Sequence, residues 1–491
     1  MSTVARSQAI LLGAQVARLA LSLAVTTLLG RSLAPGAFGY FAFVASLFVV
    51  SQDVLDMGTT SLATRNVARH PQTERAMLSA LLGLRRLVAV GLALACVLIA
   101  FAQSGRTLPE RCTLFAAAAG IFALHLGAYQ VAFQVRQRLG RPMLLGLAAQ
   151  AAFLAACFVA LRLGATVALI GALVVAREIV QVVGSRLLAV PLLGYRLRSR
   201  WLDPAIGRLL RDARVFGVTT LFHKLAFSAG TFFLWTSSTP EALGSYSAAQ
   251  RLIVPLVDVV WLCAIPLIAA FSICAVRSPQ ALASHVRAFY WLAAGTAATV
   301  AVCGLATAPR LLELVYGQTY VSGSASAVAA FRWLTVALAC AIVVPVLVVA
   351  ALARQQERAL LRVSGAALAV ALAVNALAVS RLGGEGAAMA TCLAQCLAVA
   401  LLSWSHFARR ELRRDLARLL YFAPAALLAA LLQALSGRPD LQLATAVALA
   451  PVCILSLWFL PEQRACRAAL PRGETGPVSS PPLALAAEER S

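Results

Sequence analysis

Lysine is almost missing from this 491-residue chain: of 42 basic residues, only Lys224 is not an arginine. Charge of any kind is scarce, at 12% of residues against about 25% in ordinary soluble domains. With 61% hydrophobic residues and a mean hydropathy of +0.84, that scarcity excludes a soluble globular domain. The 11 cysteines form no C-x-x-C, and Cys392 and Cys396 have no histidine near them. Neither a zinc site nor a disulfide framework is expected, and no cofactor is implied. Thiols within apolar runs act as small hydrophobes. Long outer loops are missing too, and none of the short ones holds a D-x-D. That argues against a membrane-embedded polymerase or glycosyltransferase, which needs an acidic or His/Arg site on such a loop.

What the chain does have is apolar runs. A membrane-crossing helix takes roughly 20 mostly apolar residues. Fourteen segments qualify: 9–30, 37–57, 77–102, 112–135, 143–161, 165–190, 215–236, 245–272, 284–308, 326–352, 360–380, 385–407, 418–436 and 441–460. With the N-terminus inside, thirty of the basic residues fall on the inner side, those at inner span ends included, seven fall outside and the remaining five lie within spans. Such an asymmetry follows the positive-inside rule and predicts both termini in the cytoplasm. It also explains the net charge of +23 without a nucleic-acid partner. The basic stretch 191–214 separates two groups of six spans. The chain therefore reads as an all-α integral membrane protein. A lobe at 1–190, a cytoplasmic linker at 191–214 and a second lobe at 215–410 are followed by two further spans within 411–462. A Pro/Ser-rich tail at 463–491 is expected to be disordered.

The two groups are related. Pro35-Gly36-Ala37-Phe38-Gly39-Tyr40-Phe41 and Pro240-Glu241-Ala242-Leu243-Gly244-Ser245-Tyr246 both read P-x-A-[FL]-G-x-[FY]. Each follows an outward span and precedes an inward one. Six spans separate them, so the halves share one orientation and form parallel repeats about an axis along the membrane normal.

Several segments then resemble the Wzx-type polysaccharide flippase family, which shares a superfamily with MATE extrusion proteins and lipid II flippases. Leu33 to Gly39 resembles its L-x-P-x-x-F-G turn. Asp56-Met57-Gly58, followed by Arg65-Asn66-Val67-Ala68, resembles its D-x-G and R-x-x-A stretch. Tyr246 to Leu252 resembles Y-x-A-A-x-R-L, and Tyr316-Gly317 with Tyr320 resembles Y-G-x-x-Y. Gly383 to Thr391 resembles G-x-x-G-A-A-x-A-T. The resemblance implies two six-helix lobes around a cavity that opens alternately to either side. Its implied substrate is an undecaprenyl-diphosphate-linked oligosaccharide, moved from the inner to the outer leaflet of a bacterial or archaeal cytoplasmic membrane. That step serves export of O-antigen or exopolysaccharide, with polysaccharide assembly proteins as implied partners.

Charges inside spans mark the candidate site, because an ionised side chain at membrane depth usually faces a watery cavity or a partner. Lys224 falls near the middle of its span, roughly 14 Å from either interface at about 1.5 Å of rise per residue, too far for its stem to snorkel. It is either a cavity-facing cation or one half of an ion pair, with Asp258 the natural partner. Arg18 lies at the matching depth of the first lobe. It is either the second arm of a diphosphate clamp with Lys224, a partner of Glu178, or an inner-end arginine if the span begins later. Arg177 and Glu178 are neighbours on the sixth span and point different ways, one toward the cavity and one toward another helix; Arg177 is the third candidate for the diphosphate clamp. Arg251 and Arg332 lie near outer span ends, where snorkelling is cheap; Arg251 is a candidate outer-cavity cation. Asp53 and Asp56 lie near an inner end, with Asp56 fixing the following turn or the Arg65 region. Asn375, Gln130, Gln134, Gln395, His125 and Tyr129 suit interhelical hydrogen bonds better than sugar contacts. A MATE-type drug antiporter is the competing reading. It needs cavity carboxylates, for which Asp258 and Glu178 are the candidates, and Lys224 with Arg18 would repel a cationic drug. The same two acids are the candidate proton carriers, and the coupling ion is open.

Overall fold

The computed structural model describes residues 3–102, 107–136, 138, 140–197, 204–322, 326–406, 422–434 and 437–457. Helix is what an apolar chain must form in lipid, since it satisfies every backbone group within the segment. The first lobe contains α1 (Thr3–Ser32), α2 (Pro35–Asp56), α3 (Thr59–Arg69), α4 (Glu74–Ala102), α5 (Leu108–Ala123), α6 (Gln130–Val135), α7 (Gly140–Arg162) and α8 (Val167–Leu193). The second contains α9 (Pro204–Ser237), α10 (Pro240–Arg277), α11 (Pro279–Tyr316), α12 (Ala327–Ala353) and α13 (Glu357–His406). Two helices, Ala423–Ala434 and Pro439–Leu457, follow. Proline opens α2, α10 and α11 at a position where its missing N–H costs nothing. Thr239 and Ser278 cap the latter two, accepting from the amides of Ala242 and Ala281 at 3.3 and 3.4 Å.

All fourteen apolar segments fall on these helices to within two residues at their ends, apart from residues 407, 418–421, 435–436 and 458–460, which lie outside the described set. Nine of the described helices are long and apolar enough to cross a membrane. One of the nine holds two of the expected segments, 360–380 and 385–407, because α13 reverses at Gly383 (φ 54°, ψ −128°). The reversal brings Gly386 so close to the Ala378 carbonyl that a Cβ would lie 2.6 Å from its oxygen. The segment at 112–135 is interrupted: α5 passes through a 3-10 stretch, Leu124–Tyr129, before α6. There His125 Nδ1–H donates back to the Phe122 carbonyl at 2.6 Å, and Gly127 lowers helix propensity.

The basic linker is shorter than its sequence suggests. α8 continues to Leu193, where Gly194 (φ 75°) ends it, and α9 begins at Pro204. Much of 191–214 is therefore helix. The amphipathic segment after Pro204 continues the apolar run that follows it, and extending a formed helix costs far less than starting one. The tail at 463–491 lies outside the described residues.

Within lobe 1, α1 packs on α7, α2 on α8, α4 on α5, and α8 on both α5 and α7. Within lobe 2, α13 packs on α9 and α12, and α12 on α10 and α11. The lobes meet mainly through α2 against α9 and α10. The two repeat turns face each other across that seam. A Cβ on Gly39 would lie 2.8 Å from the Pro240 carbonyl oxygen and 2.9 Å from the Gly244 nitrogen; one on Gly244 would lie 1.8 Å from the Pro35 carbonyl oxygen. Backbone meets backbone here, and only glycine permits it. Around this contact Phe43 stacks on Trp235 at 3.8 Å, and Phe38 meets Tyr316 and Tyr320 edge-on at 5.9 and 6.0 Å. Arg31 of α1 donates from Nε to the Val315 carbonyl of α11 at 3.1 Å, closing the same end.

Candidate functional site

The last two turns of α2 send polar side chains in three directions. Gln52 Nε2 donates to Glu178 Oε2 on α8 at 2.9 Å. Asp53 Oδ1 accepts from Lys224 Nζ on α9, an ion pair that joins the lobes. Asp56 Oδ1 accepts from Arg85 on α4 at 2.6 Å and from the Thr60 amide at 3.3 Å. An apolar helix acquires these acids at its end because the next two residues turn the chain: Met57 (φ 36°) and Gly58 (φ 71°) leave the helical region. Asp56 fixes that turn, as its sequence position suggested, with Arg85 as a basic partner; the Arg65 side chain lies outside the described residues.

Lys224 pairs with Asp53, not with Asp258. Lys224 on α9 and Asp53 near the C-terminal end of α2 come side by side where these two helices pack across the seam. The pair is half open, with the lysine side chain 49% and the aspartate 16% exposed. Asp258 on α10 is exposed and within electrostatic reach of Arg18, Lys224 and Asp53. Arg18 is exposed on α1, and it does not pair with Glu178. Two cations and two acids from both lobes thus share one neighbourhood: Arg18 and Asp53 from the first, Lys224 and Asp258 from the second. Beside them, a Cβ on Gly217 of α9 would lie 2.0 Å from the Met57 carbonyl oxygen, so the lobes touch closely at this end as well.

Arg177 and Glu178 bond to each other, so the expectation that they point apart is corrected. Arg177 is long enough to fold back along α8. It also donates from Nη1 to Gln150 Oε1 at 3.1 Å and covers the Phe153 ring at 5.1 Å. Glu178, buried, takes Gln52 on its other oxygen. Arg251 lies eleven residues into α10 with its guanidinium 4.4 Å from the centre of the Phe41 ring in the other lobe, and it feels the charge of Arg177. Pro255 removes the backbone bond that the Arg251 carbonyl would accept and separates Arg251 from Asp258 on the same helix. Arg332 is exposed near the start of α12 and makes no hydrogen bond or ion pair with this group.

The amides and rings suggested for hydrogen bonding lie elsewhere. Gln134 accepts from Thr64 at 3.0 Å. Asn375 donates to the Ala371 carbonyl at 2.6 Å, and Gln395 is fully buried in α13. What sequence reasoning missed is Asp53, seen only as a charge near a span end, and Gln52 beside it. The available signal was two consecutive polar residues, Gln52-Asp53, closing an otherwise apolar helix.

Arg251, Arg177, Lys224 and Arg18, with Asp53, Asp258 and Glu178, thus lie on helices at or beside the lobe seam and are linked by the contacts and fields above. Such a set of charges can take an anionic group that displaces acids from cations, since fixed charges act strongly where water is sparse.

The same architecture occurs in solved structures. A lipid II flippase, MurJ, in an inward closed conformation superposes with a TM-score of 0.69 at 11% identity, covering 92% of this chain and 98% of that one. An inward-facing multidrug resistance MATE transporter of the MOP superfamily gives 0.53 at 14% identity, over 79% and 97%. A eukaryotic MATE transporter, AtDTX14, gives 0.53 at 12%, over 85% and 98%. At these identities the likeness establishes the fold, a MurJ- and MATE-like transporter fold of a multi-pass membrane protein. No curated protein sequence matches the chain. The sequence model of one family, described as "Polysaccharide biosynthesis protein", matches residues 4–271. That match spans more than half of the chain and both sides of the lobe seam, and the chain belongs to the polysaccharide biosynthesis protein family.

Proposed function

We propose that the protein is a flippase for an undecaprenyl-diphosphate-linked oligosaccharide, carrying its headgroup from the inner to the outer leaflet by rocking lobe 1 against lobe 2. The observation that carries this reading is the Lys224–Asp53 pair across the lobes, with Arg18 and Asp258 in its field. In the proposed orientation both termini are cytoplasmic, the Pro35/Pro240 contact closes the outer side and the Lys224–Asp53 pair lies toward the inner side. Half-exposed ion pairs contribute only about 0.2–1 kcal/mol. A diphosphate brings two or more negative charges and competes with Asp53 for the lysine. Substrate arrival thereby loosens the inner latch and ties Lys224 and Arg18 to one headgroup. The polyprenyl chain stays in lipid throughout. Membership of a polysaccharide biosynthesis family and the likeness to a lipid II flippase both support a lipid-linked substrate.

The test uses a strain lacking the gene. Surface polysaccharide and lipid-diphosphate-linked oligosaccharide are quantified after complementation with wild type or Lys224→Ala. The expected result is loss of surface glycan with accumulation of the lipid-linked repeat, rescued by wild type and not by the variant. A second reading is favoured by one observation: Asp258, exposed, and Asp53, partly buried, place two acids beside the lobe seam. A MATE-type cation-coupled antiporter uses acids in that place. Intact glycan with altered drug sensitivity would replace the first reading with this one.

A further inference from the structure

A second cationic feature lies away from the lobe seam. A cavity of about 590 Å³ opens where α6, α7 and α8 end, lined by Arg136, Arg138, Arg141, Pro191 and Leu192. The helices that bring the lobes together, α2, α9 and α10, contribute none of these residues. Arg136 is held in place: it donates to the Leu192 carbonyl and, from Nη2, to Glu74 at 3.2 Å. It thereby caps the C-terminal end of α8, where carbonyls lack helical partners. Arg138 and Arg141 are exposed and have no carboxylate partner among the described residues. α7 starts at Gly140, so its unpaired N-terminal amides open at the same mouth.

Positive charge at this end of a membrane protein is ordinary. What distinguishes this place is its shape and what adjoins it. Leu144, one turn beyond Arg141 on α7, and Leu187, one turn before Pro191 on α8, are each 68% exposed. The two helices pack tightly beside them, since a Cβ on Gly184 would lie 2.7 Å from the Leu145 side chain. The cationic mouth thus has exposed leucines one turn away on two of the helices that form it. That sequence of polar, then apolar, matches one class of molecule, an amphiphile with an anionic head.

We infer that this cavity binds the phosphate headgroup of an anionic membrane phospholipid through Arg138, Arg141 and the start of α7, with acyl chains lying along Leu144 and Leu187. Basic pockets between membrane helices recognise such headgroups. The site is separate from the Lys224 cluster, so it holds whichever substrate passes between the lobes. It anchors the first lobe to one leaflet while the second moves.

The test is native mass spectrometry on the delipidated full chain in detergent, titrated with cardiolipin, phosphatidylglycerol or phosphatidylcholine. The expected result is retention of the two anionic lipids over phosphatidylcholine. Arg138→Gln with Arg141→Gln weakens that retention about ten-fold or more, and Arg138→Lys with Arg141→Lys preserves most of it. Lys224→Ala leaves it unchanged, which separates this site from the transport reading. Undiminished anionic-lipid binding in the double glutamine variant would overturn the inference. So would displacement of the lipid by millimolar inorganic phosphate, which would mark a site for soluble phosphate instead.

Discussion

Gly244 meets Pro35 of the opposite lobe so closely that a Cβ on the glycine would fall 1.8 Å from the proline carbonyl oxygen. The mirrored contact of Gly39 with Pro240 makes the repeated motif a self-complementary seal, with each half presenting a glycine to the proline of the other. A methyl group cannot be accommodated against backbone by a side-chain shift. Gly244→Ala is therefore expected to push the lobes apart at this end. Spin labels at Ser32 and Ser237, in a cysteine-free background, would report it as a longer and broader distance distribution by electron–electron double resonance. An unchanged distribution would remove the contact as a gate.

The inner ion pair makes the opposite kind of prediction. Asp53 masks Lys224, and masking by a half-exposed partner costs about 0.2–1 kcal/mol. Asp53→Asn should then bind a fluorescent polyprenyl diphosphate about two- to five-fold more tightly, while transport falls because the latch no longer re-forms. Lys224→Ala should lose binding altogether. Equal losses in both variants would reduce the pair to a structural bridge.

Arg85 and Asp56 are a different case from Lys224 and Asp53, although both pairs start from one turn of α2. The Arg85 side chain is 7% exposed and also donates to Thr60 at 2.7 Å. Arg85 is the buried member; removing Asp56, whose own side chain is 43% exposed, leaves that arginine without a carboxylate, at a cost of at most about 3–5 kcal/mol. Asp56→Ala should lower the thermal unfolding midpoint in detergent far more than Asp53→Ala does. Equal midpoints in the two variants would contradict the assignment of one pair to stability and the other to function.

Arg251 and Phe41 join the lobes by a cation–π contact, worth about 0.5–2 kcal/mol. A double-mutant cycle of Arg251→Gln and Phe41→Leu, read by thermal unfolding, should give a coupling in that range. Strict additivity would mean that the two side chains act independently.

At Gly383 the backbone takes φ 54° and ψ −128°, a region that side chains with a Cβ avoid. Gly383→Ala should reduce folded yield by impairing the reversal that turns one long helix into two antiparallel ones, measured by size-exclusion recovery against Gly365→Ala in the same helix. Equal recovery of the two would show that the turn tolerates an ordinary residue.

Much of the architecture was legible because lipid is a demanding solvent. Runs such as 37–57 and 326–352 can only be helices there, and their number and the repeated P-x-A-x-G turn led to two related lobes. Lys224 and Arg18 stood out because charge is costly among such residues. The partners were not legible. Asp258 is nearer to Lys224 in sequence than Asp53 is, yet Asp53 holds it, because pairing depends on which turns of α2 and α9 come side by side when the helices pack, and order along the chain does not give that. Arg177 and Glu178 were expected to diverge because adjacent residues leave a helix at different angles, but an arginine side chain is long enough to fold back. The interruption at Leu124–Tyr129 is invisible to an apolar count, since a 3-10 stretch and an α-helix have the same composition.

The sequence by itself determined that this chain crosses a membrane many times, that its halves repeat, and which charges lie inside the spans, because each follows from hydropathy and order along one chain. Only the tertiary structure decided that the repeat turns seal against each other, that Asp53 is the lysine's partner, and that Arg138 and Arg141 border a cavity. Those are contacts between segments tens to hundreds of residues apart, set by how helices pack side by side and by the depth at which each one ends.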